Sequence, residues 1–136
     1  MKTFEKDISL RSKKPVELLN ISLFLSEAIT ESGISEGIMA VFNPHTTAAF
    51  IINEDESGLV RDFEKAVKDL IPWEASYEHN RIDDNAPSHL VAAFLGADLS
   101  LHVSAGRLIL GTWQSVFFVE LDGPRSRKVR LKIVGV

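Results

Sequence analysis

His45, His79 and His89 are three of the four histidines in this chain, and each stands in a loop-like or capping context. His45 lies in Asn43-Pro44-His45-Thr46-Thr47, a turn at the rim of an apolar strand. His79 and His89 bracket the polar stretch that runs through Asn80-Arg81-Ile82-Asp83-Asp84-Asn85. Imidazole titrates near neutrality and binds metal ions through its neutral form, so scarce histidines used this way point to chemistry. If Asn85 caps a helix, His89 sits just over one turn inside it. The positive end of the helix dipole there opposes protonation, as a metal ligand or acceptor needs. The spacing of His79 and His89 is loose and is not itself a zinc signature. A three-histidine centre therefore depends on His45 joining the other two in space. Glu54, ending the apolar strand after His45, is a candidate acid–base group. Thr46 and Thr47 carry hydroxyls able to bond an anion, although Thr is also an ordinary strand residue.

Alternation between Trp113 and Asp122 marks a second informative stretch. Trp113, Ser115, Phe117, Val119 and Leu121 share one face, and Gln114, Val116, Phe118 and Glu120 share the other. Gln114 and Glu120 interrupt an otherwise apolar face. Buried polar groups need partners, so the two either pair with neighbours or line a site. Asp122-Gly123-Pro124-Arg125 then turns into a basic segment. Arg125 and Arg127 have the planar guanidinium that matches a phosphate bidentately. Lys128, Arg130 and Lys132 read more simply as charges protecting an edge strand.

These residues must be positioned by a mixed set of elements. The pattern predicts a strand over 3–10, a short one over 16–19, and an amphipathic helix capped by Asn20 and stopped at Gly33. Strands at 37–42 and 47–53 are expected to form a hairpin around the Pro44 turn. A strongly amphipathic helix spans 57–70, with Asp55 and Ser57 as caps and Pro72 beyond its end. Asn85 and Pro87 open a third helix that Gly96 closes. Strands follow at 98–103, over 107–121 as one long run, and at 128–134. Three helices with a β-rich final third favour an α+β fold built on antiparallel sheet over a doubly wound one.

Composition narrows the classes. A chain of 136 residues is one domain with room for a core. Its net charge of −4 gives no support to nucleic-acid binding by the surface as a whole. The absence of cysteine leaves His, Asp, Glu or water to hold any metal. The first residues lack the apolar core of a signal peptide, and no apolar run approaches the ~18 residues that span a bilayer. The expected location is the cytoplasm, without membrane attachment.

Several blocks in order resemble the YjbQ-like family. They are Asn43-Pro44-His45-Thr46-Thr47-Ala48-Ala49, Ile52-Asn53-Glu54, His79 through Leu90, Gly106 through Gln114, and Glu120 through Arg127. The resemblance implies a β-sandwich with three helices, assembled as a homotrimer. It also implies a secondary thiamine-phosphate synthase activity, joining a pyrimidine pyrophosphate to a thiazole phosphate with release of pyrophosphate. His45, His79 and His89 are then expected to hold a divalent metal. Glu54, Asn85, Gln114 and Glu120 are the expected catalytic companions, and Thr46, Thr47, Arg125 and Arg127 the substrate contacts. Mg²⁺ suits carboxylates and phosphate oxygens, whereas three histidines suit Zn²⁺. The alternatives are a zinc-dependent hydrolase with Glu54 or Glu120 as base, and a non-enzymatic trimer that binds a metal or small ligand.

Overall fold

The computed structural model describes residues 1–136. Its elements run β1 (Lys2–Arg11), β2 (Glu17–Asn20), α1 (Ser22–Ser32), β3 (Gly37–Phe42), β4 (Ala48–Glu54) and α2 (Ser57–Leu70). A single 3₁₀ turn at Glu78–Arg81 precedes α3 (Ala86–Leu95), β5 (Asp98–Ser104), β6 (Arg107–Ile109), β7 (Gln114–Glu120) and β8 (Ser126–Gly135). The strands form a five-stranded sheet in the order β1-β8-β3-β5-β6 and a three-stranded sheet in the order β2-β7-β4. Every pairing is antiparallel.

Burial follows the period of each strand. On β8, Val129, Leu131 and Ile133 point inward, while Lys128, Arg130 and Lys132 face out. These meet Phe50, Val116 and Phe118 of the smaller sheet, and α1 contributes Leu25, Ala28 and Ile29 to the same core. Both faces of β7 are apolar because the smaller sheet is buried on both sides. Its other face packs Ala49, Val119 and Leu121 against Val67 of α2 and Val91 and Ala92 of α3.

Three expectations change. The segments 37–42 and 47–53 are strands but do not form a hairpin. Both edges of β3 are already taken by β8 and β5, so β4 crosses to the other sheet and pairs with β7. The long run over 107–121 breaks at Gly111-Thr112-Trp113, where the Gln114 side chain accepts from the Gly111 amide at 2.7 Å. The chain changes sheets there. Strand β8 is internal, between β1 and β3, so its basic residues do not guard an edge. Arg130 pairs with Asp7 and Lys132 with Glu5 on the outer face of β1.

The caps differ in detail. Glu56, not Asp55 or Ser57, caps α2 by accepting from the Gly58 and Leu59 amides. Asp55 instead accepts from the Asn20 side-chain amide, whose oxygen takes the Ser22 amide at the start of α1. No helix is long and apolar enough to cross a membrane.

Phe118 is fully buried and meets Phe50 edge to face, with ring centroids 5.9 Å apart. Phe118→Ala is expected to cost about 3–5 kcal/mol of unfolding free energy. Urea denaturation measures it, and a loss under about 1 kcal/mol would contradict this packing.

Candidate functional site

The loop from β3 to β4, the turn from β7 to β8, the 3₁₀ turn with the residues after it, and the start of α3 converge at one end of the molecule. They enclose a cavity of about 480 Å³. Its walls bring together His45, Thr46, Thr47, His79, Asn85, His89, Arg125 and Arg127 of the expected site residues. Asn43 shapes the first wall. Its side chain donates to the Ala48 carbonyl at 2.7 Å and accepts from the His45 amide at 2.9 Å, folding the loop back on itself.

Glu120 and Arg127 lie beneath this cavity and face each other across the two sheets. Both are buried, and the guanidinium meets both carboxylate oxygens, with Nε at 2.9 and 3.1 Å and Nη2 also in contact. Nη2 further donates to the Thr47 carbonyl at 3.2 Å and its hydroxyl at 2.9 Å. The Glu120 carboxylate also accepts from the Ser12 hydroxyl and from the Leu121 and Asp122 amides. Burial pushes this carboxyl up. Bonds from Arg127, Ser12 and the Asp122 amide outweigh that and hold it below its ordinary value. Glu120 is therefore a saturated anion, and the expectation that it acts as catalyst is corrected: no lone pair is left for substrate. Arg127, expected to clamp substrate, is tied to the fold through Nε and Nη2, while its Nη1 makes no bond and the residue still lines the cavity. Thr47 is buried and its hydroxyl is committed to Arg127, so Thr46 is the exposed hydroxyl of the pair.

Arg125 differs from Arg127. Its Nε donates to the Asp122 carbonyl and its Nη2 to the Asp122 carboxylate, both at 2.8 Å, and Nη1 is left unpaired. Half of its side chain is exposed. The same Asp122 oxygen accepts from Asn85 Nδ2 at 3.0 Å. Because a carboxylate only accepts, this bond fixes which way the amide is turned. Asn85 Oδ1 is then the one buried side-chain polar atom without a partner. An N-cap oxygen ordinarily takes the second or third amide of its helix. Here the second is Pro87, which has none, and Ser88 donates to the Asn85 backbone carbonyl.

The three histidines do not form a metal centre within the chain. His79 and His89 meet edge to face with centroids 4.8 Å apart. His45 stands elsewhere on the wall, with Nε2 accepting from the Lys128 amide at 3.0 Å. Burial first, and then the nearby Arg127 cation, push its pKa below the ordinary imidazole value, so it is held neutral. Yet its lone pair is occupied. No group of three His, Asp or Glu side chains is close enough to hold a metal ion.

Glu54 and Gln114 are not brought to this cavity. They pair with each other in register at the far end of β4 and β7. Glu120 is six residues along β7 from Gln114, or ~20 Å at the rise of an extended strand.

A family model described as UPF0047 protein YjbQ-like matches residues 6–136. The chain belongs to this family. The UPF0047 protein of Methanothermobacter thermautotrophicus is 45% identical over 135 residues, spanning 99% of this chain and 94% of that one. The UPF0047 protein of Archaeoglobus fulgidus is 39% identical over 126 residues, 93% of this chain and 98% of its own. A crystal structure of a YjbQ-like protein of unknown function from Sulfolobus solfataricus superposes with TM-score 0.97 at 41% identity, covering 99% of each chain. A hypothetical protein from Aeropyrum pernix gives TM-score 0.94 at 34% identity over 100% of both.

Two residues of this YjbQ-like site escape a reading of the sequence. Asp122 orients both Arg125 and Asn85, and its place in Glu120-Leu121-Asp122-Gly123-Pro124-Arg125 was the available signal. Ser12 had none. It reaches Glu120 and the Arg125 amide, 2.8 Å away, only because β1 pairs with β8 at that register.

Removing one partner of a buried ion pair strands the other, so Arg127→Ala is expected to cost about 3–5 kcal/mol. Arg125→Ala, at a half-exposed pair, is expected to change stability by no more than about 1 kcal/mol. Denaturant titration of both variants separates a structural arginine from a site arginine, and equal losses would contradict the distinction. Glu120 also sets a pH dependence. Its folded pKa is lowered, so the stabilisation is present above the ordinary glutamate value and is lost as pH falls through the folded one. Stability measured from pH 7 to pH 2 should fall on the acid side, and Glu120→Gln should flatten that fall.

Proposed function

We propose that the cavity binds a phosphate-bearing small molecule and that the protein is a transferase of the thiamine-phosphate synthase type, as a secondary activity. The observation that carries the anion reading is Arg125: a guanidinium braced by Asp122, with one nitrogen unpaired, on a cavity shared with Thr46 and His45. Such an edge suits a phosphate oxygen. In the reaction, the bond between the pyrimidine methylene carbon and the pyrophosphate oxygen breaks. A carbon–nitrogen bond to the thiazole forms, and pyrophosphate leaves with the electron pair. Arg125 would take up charge as it develops on that leaving group. No step is assigned to a divalent ion, because the expected three-histidine donors do not converge. The same geometry disfavours a zinc hydrolase contained in one subunit.

A homotrimer is part of the proposal. Ile38 and Phe42 are half-exposed on β3, the middle strand of the larger sheet, and Trp113 is 73% exposed between β6 and β7. Apolar surface at such positions fits a subunit contact. Glu54 and Gln114 can serve the chemistry only if a neighbouring copy carries them to the cavity.

Purified protein given the pyrimidine pyrophosphate and thiazole phosphate is expected to release pyrophosphate, with native mass three times that of the chain. Arg125→Ala should lower turnover about tenfold or more, as for a lost charged hydrogen bond. Pyrophosphate binding without turnover would select the non-enzymatic reading. Failure to bind pyrophosphate or phosphate would reject the anion site itself.

A further inference from the structure

The bond between His45 and Lys128 has a structural origin. Strand β8 extends from Ser126, but β3 lies against it only from Gly135 to Arg130. Beyond Arg130 the edge of β8 has no strand beside it on that side. The His45 imidazole stands in the gap, and its Nε2 accepts the Lys128 amide as a strand carbonyl would. The loop cannot present a different nitrogen without giving up this contact, because its own backbone is tied down through Asn43.

An imidazole whose Nε2 accepts must, when neutral, carry its proton on Nδ1. That Nδ1–H has no acceptor in the protein. It is not sealed in either, since Asn85 Oδ1 is the one buried polar side-chain atom lacking a partner. His45 lines the same cavity as Arg125 and Thr46. These three supply a neutral N–H, a cation and a hydroxyl, each able to donate to an anion, beside the carboxylates of Asp83 and Asp122 on the same wall.

We propose that His45 is a tautomer-locked hydrogen-bond donor to the anionic group of the ligand, and neither a metal ligand nor a proton carrier. The proposal rests on the anion reading above and narrows it. The site selects a ligand with an acceptor oxygen at His45 and tolerates no metal there unless the Lys128 contact breaks.

Two substitutions separate the nitrogens. In His45→Gln the amide end stands where Nε2 was, so it can still accept from Lys128 while the Nδ1 donor is lost. In His45→Asn the amide nitrogen stands where Nδ1 was, so the donor is kept and the Lys128 contact is lost. With pyrophosphate as the probe, His45→Gln should keep a Tm near that of the wild type but bind about tenfold or more weakly. His45→Asn should lose thermal stability yet keep most of its affinity well below its Tm. Long-range ¹⁵N–¹H correlation spectra of the unaltered protein should show His45 protonated at Nδ1. A proton on Nε2, undiminished pyrophosphate binding by His45→Gln, or stoichiometric Zn²⁺ binding abolished equally by both variants would overturn the proposal. Wild-type protein that binds no pyrophosphate would bring down the anion reading, and the ligand role of His45 with it. If the wild type binds and His45→Gln binds as well, only the present inference fails.

Discussion

The buried pair of Glu120 and Arg127 is the constraint on which the rest of this molecule depends. Each charge comes from a different sheet, and each would be costly to bury alone. Their meeting fixes the separation of the two sheets at the cavity end, where the apolar core gives way to loops. The carboxylate then gathers the Ser12 hydroxyl and two amides of the turn after β7, and the guanidinium holds both oxygens of Thr47. One ion pair thus anchors two walls of the site.

Around that anchor the polar groups sort into those already satisfied and those left open. Glu120 is consumed by the fold, as are Nε and Nη2 of Arg127, and the Thr47 hydroxyl accepts from that same guanidinium. Arg125 Nη1, Arg127 Nη1, Thr46 and His45 Nδ1 remain available, and Asn85 Oδ1 is enclosed without a partner. These available groups are mainly donors, which is what supports the anion reading proposed above. Two carboxylates on the wall lie outside that pattern: Asp83, and Asp122, the acceptor that orients Arg125 and Asn85. A cation would have to compete with Arg125 for the Asp122 carboxylate.

The division of labour between two nearby arginines follows from strand parity. Arg127 falls on the inward face of β8 with Val129 and Leu131, whereas Arg125 precedes the strand in the turn. Both look equally suited to phosphate as residue types. Position relative to the sheet makes one a buried cross-brace and leaves the other half-exposed at the cavity.

Much of this was legible in the residues alone. The three helices, most strand positions and the antiparallel α+β class follow from periodicity and from Gly, Pro and Asn punctuation, which act locally. The motif blocks identified the loops that build the cavity. Alternation along 113–122 showed that Glu120 must find a partner if buried. Its partner was beyond that reading, as was the crossing of β4 to the other sheet, because both depend on which strand edges are already occupied. The same holds for His45. Sequence marked it as a reactive imidazole, but only tertiary structure placed a bare strand amide against Nε2. Local chemistry determined which groups were present, and non-local pairing decided which of their lone pairs and protons were still free.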